Sequence, residues 1–154
     1  MTMSKRIQLT ANLYLDEYID RETYNKYINK PHYLLGLINP NIVKIDQKIR
    51  DRHGAITINN WFTGGHRQWS GLRTPKSTYY SWMSQHGMYV NASDSLSAYS
   101  TAEEVRQDIK DNYEKEYKPL GLTCIEGGVG WVHKDCRLHH FKGYKGTGLL
   151  IFKP

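Results

Sequence analysis

Ile42, Ile45 and Ile49 recur at i, i+3 and i+7 in "NPNIVKIDQKIRDRHG", with Pro40 at a helix start and Gly54 at its stop. This spacing predicts an amphipathic helix near residues 41–53. In "STAEEVRQDIKDNYEKEY", Val105, Ile109 and Tyr113 line one face, and Thr101 and Glu104 have capping-box spacing. A second helix is therefore predicted near 101–116. "AITINN" alternates as a strand over 55–60, and "LGLTCIEGGVGWVHKDCR" reads as strands 122–126 and 131–136 around a glycine-rich turn, Gly127 to Gly130. "LTANLYLDEYI" forms a short N-terminal element, and "GTGLLIFKP" closes the chain with a last strand. Residues 62–94 show no clean periodicity, and so long a loop in a compact domain usually carries function. Helices followed by hairpin-connected strands predict an α+β fold, with helices packed on an antiparallel sheet, in one domain spanning 1–154.

The chain length allows a single buried core, and 39% hydrophobic with 23% charged residues is the balance of a folded chain. Tyrosine outnumbers phenylalanine by 12 to 3, which suits clefts and interfaces as well as half-buried core positions. The net charge of +6 favours anionic partners such as acidic wall polymers. With no basic tract and no nucleic-acid motif, it does not point to a specific nucleic acid. "MTMSKRIQLT" has a basic start but no apolar stretch behind it, which predicts synthesis in a cytoplasm without a signal peptide and no membrane insertion. In that setting Cys124 and Cys136 are expected to be thiols.

Side chains alternate along a strand, so Trp131, His133 and Asp135 share one face. With 127–130 as the loop, Glu126 pairs across from Trp131 and lies diagonal to His133, roughly 7–8 Å away. Two readings fit this face equally: a metal site, or a polar outer surface with an incidental histidine. The segment "STYYSWMSQHGMYVNASD" adds His86 and Asp94. Two imidazoles and a carboxylate form a ligand set of catalytic zinc, with a fourth position left for water. His139 and His140 are adjacent and face opposite ways on a strand, so they make no shared site. His66 lies in the long loop, in a structural or substrate-touching role, while His32 and His53 read as surface or capping residues.

"GLRTP" (71–75), "SQH" (84–86), "NASD" (91–94) and "WVHKDCR" (131–137) together resemble motifs of the zinc D-Ala-D-Ala carboxypeptidase and L-Ala-D-Glu endopeptidase family, in its small phage-encoded members. The likeness covers most of the chain. It implies the hedgehog-type peptidase fold, zinc as cofactor, and His86, Asp94 and His133 as metal ligands. It also implies that Arg73 holds substrate and steadies a developing oxyanion. Many members place the general base three residues before the last histidine, where this chain has Gly130. Glu126 is the best substitute and Asp135 the reserve, although Asp135 fits better as a partner of a ligand or a surface ion pair. The implied function is hydrolysis of peptidoglycan peptides by an endolysin or virion-associated lysin, acting at the bacterial wall or beside other phage virion proteins. One feature departs from the family pattern. Eight positions separate His86 from Asp94, where the family has seven, and Val90 holds the place of a glycine. A β-branched residue resists the tight path a glycine allows. That departure favours the alternative, a degenerate peptidase-fold protein serving as a structural or wall-binding part of a phage particle.

Overall fold

The structure, a computed structural model, describes residues 6–138 and 148–154. His139 and His140 lie outside the described residues. Asp20 caps α1 (Arg21–Tyr27) by accepting from the Thr23 amide at 3.0 Å, which satisfies one of the orphan donors of a helix start. Proline opens both α2 (Pro31–Leu35) and α3 (Pro40–His53), at a position that needs no amide donor. Ile42, Ile45 and Ile49 of α3 are fully buried, as their spacing predicts, and the helix ends at Gly54. The capping box of Thr101 and Glu104 forms at the start of α4 (Ala102–Asp111). This helix is shorter than the expected 101–116, because the chain continues as one π turn, Tyr113–Tyr117. The wider turn buries both tyrosines, whose hydroxyls donate to the Leu122 carbonyl and to Asp108.

Among the described residues, β1 (Ile56–Thr57), β2 (Ala92–Ser97), β3 (Cys124–Glu126), β4 (Val132–Asp135) and β5 (Leu150–Phe152) form one sheet in the order β1-β2-β4-β3-β5. The fold is α+β. The sheet is mixed, not wholly antiparallel as expected, because β5 runs parallel to β3. β1 is shorter than the expected 55–60, since the Asn59 and Asn60 amides bond the carbonyls of Glu17 and Arg67 instead of a strand. β2 was not expected at all: it begins inside the stretch read as loop.

The β3–β4 register pairs Cys124 with Asp135 and Ile125 with Lys134, which brings Glu126 opposite His133 and not opposite Trp131. The slip is two residues, so Glu126 stays on the predicted face. On β2, Asp94 pairs with His133. Asp94, His133 and Glu126 thus form one row across three strands. The other face carries Ser93, Ser95 and Lys134 toward α3, where Nζ of the fully buried Lys134 stands 2.7 Å from Oδ1 of the equally buried Asp46. That approach is at ion-pair distance but outside hydrogen-bond angles. Cys124 and Cys136 are free thiols, pushed up to about 12 by burial. No described helix is long and apolar enough to cross a membrane.

Candidate metal centre

The segment from Ser70 to Arg73 lies between the sheet and the N-terminal turn. The Leu72 amide donates to the Tyr18 carbonyl at 2.8 Å, and the Asp94 amide donates to the Ser70 carbonyl at 2.8 Å. Gly71 makes this fit possible, since a Cβ there would sit 2.3 Å from the Tyr18 carbonyl oxygen. The freed carbonyl of Gly71 accepts from Nδ1 of His86 at 2.7 Å. Arg73 bridges to the His86 strand-like stretch, its amide donating to the His86 carbonyl at 2.8 Å and its carbonyl accepting from the Met88 amide at 3.0 Å.

The longer spacing to Asp94 is absorbed without parting the two residues. Met88 takes the left-handed conformation at φ 57°, so the tight turn falls there and not at Val90. Val90 is fully buried and bridges to Ile38, where its β-branched side chain suits extended backbone.

Nε2 of His86, Nδ1 of His133 and Oδ1 of Asp94 converge. His86 Nε2 lies 3.3 Å from His133 Nδ1 and 3.4 Å from Asp94 Oδ1, and His133 Nδ1 lies 2.8 Å from Asp94 Oδ1. Tetrahedral zinc with bonds near 2.0–2.1 Å sets ligand edges of roughly 3.3–3.4 Å. Two edges already match, and the third opens with a small rotation of the carboxylate.

The outer nitrogens fix the tautomers. A carbonyl only accepts, so His86 carries its proton on Nδ1 and turns a lone pair inward from Nε2. His133 points Nε2 at Asp135 Oδ2, 2.9 Å away, so its inner nitrogen is Nδ1. The close approach of that nitrogen to Asp94 calls for a positive species between them, either a proton or a metal ion. Burial alone would depress His133, but hydrogen bonds to Asp135 and Asp94 outweigh it and lift the imidazole to about 9. Burial likewise works against the Asp94 charge, yet hydrogen bonds from His133 and His86 hold its carboxyl well below the usual range. His86 is shifted down, chiefly by burial. An anionic carboxylate beside a neutral imidazole lone pair is the donor set a divalent cation requires.

Asp135 is fully buried and fully committed. Oδ2 meets His133, while Oδ1 accepts from the Arg137 amide at 3.1 Å and from Arg137 Nε at 2.8 Å. A carboxylate on the outer nitrogen orients a ligating imidazole and raises its basicity. Arg73 donates Nε to the Trp69 carbonyl and Nη2 to Asp94 Oδ2, each at 2.8 Å, so among the described residues Nη1 is the edge it still offers. His86, Asp94, His133 and Arg73 line a cleft of about 660 Å³, together with Glu126, Trp131, Arg137 and His66.

The structure therefore brings His86, Asp94, His133, Arg73 and Glu126 to one cleft, and places Asp135 beneath it as the support of His133. Two contributors were missed from sequence: Arg137, whose i+4 spacing from His133 was a visible signal, and the Gly71 carbonyl, which leaves none. His53 lies elsewhere, bonded to Ser100 and Asp108. Comparison with protein-family models, with curated proteins and with solved structures finds no match to this chain.

Proposed function

We propose that this chain is a zinc-dependent peptidoglycan peptidase of hedgehog-type fold, a phage endolysin or virion-associated lysin that hydrolyses an amide in bacterial wall peptides. The convergence of two oriented imidazoles and an ionised carboxylate at the floor of an open cleft carries the reading. His86 Nε2, His133 Nδ1 and Asp94 Oδ1 would hold the ion. When bound, zinc supplies Lewis acidity that polarises a carbonyl and acidifies water. Glu126 stands beside His133 in the cleft, with its carboxylate in no hydrogen bond or ion pair among the described residues, and serves as the general base that passes a proton to the leaving amine. Arg73 presents Nη1 to the carbonyl oxygen as negative charge develops there. Gly71 and Asp135 hold the two rings still.

The longer His86–Asp94 spacing favoured a degenerate structural protein. Its absorption at Met88 removes that argument and supports the enzyme. Clearing of permeabilised bacterial cells tests the proposal. Turbidity falls with the zinc-supplemented protein, stops on chelation and resumes when zinc is restored. Intact turbidity with a zinc-loaded chain would instead favour the structural role.

A further inference from the structure

Segment 77–93 leads from Arg73's strand-like stretch into β2 and contains no Asp, Glu, Lys or Arg. Its composition is Ser, Thr, Tyr, Trp, Met, Gln and Asn, with Gly87, Val90 and Ala92, around the buried His86. The backbone is tightly turned. Ser77, Ser81 and Ser84 each accept, through Oγ, the amide two residues on, and Gly87 packs so closely that a Cβ would lie 2.6 Å from the Ser81 carbonyl. This built loop nevertheless turns large apolar side chains to solvent: Trp82 is 79% exposed, Tyr79 69% and Met83 61%. Tyr79 and Met83 also line the metal cleft, and the Tyr79 ring lies 5.8 Å from the Arg73 guanidinium. Two of the three exposed side chains thus reach the cleft mouth, and Trp82 adjoins Met83 in the chain.

We propose that Tyr79, Trp82 and Met83 form a saccharide-docking platform that seats an N-acetylated amino-sugar strand beside the cleft while its attached peptide enters. The proposal rests on the wall-peptidase reading and deepens it. Aromatic faces stack on the C–H faces of pyranose rings, and the exposed Thr78 and Ser81 offer hydroxyls to the hydroxyl and acetamido groups of a sugar. The cations beside the segment are paired, Arg73 with Asp94 and Lys76 with Glu22, so the surface fits a neutral polar ligand. Membrane-surface segments instead carry unpaired lysine and arginine among their aromatics.

The test is calorimetric titration of the full chain with a β-1,4-linked N-acetylglucosamine tetramer. That probe carries no peptide, so the result does not depend on whether the chain hydrolyses anything. Saturable binding is expected, roughly tenfold weaker in Trp82→Ala and largely regained in Trp82→Phe. Unchanged thermal unfolding is expected for both variants, because the ring is exposed. Absence of saturable heat, or equal affinity in Trp82→Ala, overturns the proposal. So does capture of the wild type, but not Trp82→Ala, by phosphatidylcholine vesicles or by a second copy in sedimentation without sugar binding. Sugar binding alongside failed cell clearing would leave the platform standing and remove the hydrolase.

Discussion

Replacing Asp46 with asparagine removes the countercharge from a lysine that has no contact with solvent. Among the described residues Lys134 Nζ keeps only the Ser95 hydroxyl, 2.8 Å away, while the new amide turns a donor toward an ammonium 2.7 Å distant. Tyr18 and Ser93 donate to the other carboxylate oxygen at 2.9 and 2.7 Å, and asparagine retains those two contacts. The loss is therefore that of one charge partner in a buried pair, about 3–5 kcal/mol. For a chain of this size, each kcal/mol shifts the midpoint by about 2–4 °C, so thermal unfolding should fall by roughly 6–20 °C. Lys134→Met should cost stability in the wild type, where it strands Asp46, and recover stability in the Asp46→Asn background, where it removes the orphaned charge. Calorimetry on the four proteins of this cycle measures both effects. The reasoning fails if Asp46→Asn unfolds within a degree or two of the wild type, or if Lys134→Met has the same effect in both backgrounds. The pair matters to the site because Lys134 sits between His133 and Asp135 on β4 and fixes that strand on α3.

Asp135→Asn should weaken zinc by about 10–100-fold in a competitive chelator titration, because the outer nitrogen of His133 loses its carboxylate; unchanged affinity would remove Asp135 from the site. Glu126→Gln should retain zinc and thermal stability yet lose most of the lytic rate, and a fully active variant would disprove the base assignment. Burial lifts the Glu17 carboxyl from 4.5 to about 7, against the pull of the Tyr14 amide. The folded chain thus holds that proton more tightly, so the stability it contributes is fully present below pH 4.5 and is lost as pH rises through 7. Unfolding midpoints of Glu17→Gln and wild type should diverge across that window, and parallel curves would refute the assignment.

Much of this architecture was legible because burial and periodicity agree. The three isoleucines of α3 fall inside as their spacing requires, and the Thr101–Glu104 pair marks the start of α4. The alternation on β4 also put His133 and Asp135 on the site's face. Even the wrong hairpin register kept Glu126 on that face, since a two-residue slip returns every side chain to the same side. β2 escaped because "ASDSLS" reads as polar loop. Ser93 and Ser95 are buried through hydrogen bonds to Asp46 and Lys134, partners that lie far off in sequence. Lys134 misleads for the same reason, as a charge on a strand ordinarily faces water. The β3–β5 pairing and the Gly71 carbonyl depend on how the chain returns to itself, and no local pattern encodes either.

The central claim is that His86, Asp94 and His133 form a metal centre, and metal content tests it most directly. Elemental analysis of the chain purified after zinc-supplemented expression should give about one zinc per protein. The same analysis of His133→Ala should give almost none, with the fold intact by circular dichroism. No zinc in the wild type, or equal zinc in the folded variant, would contradict the account.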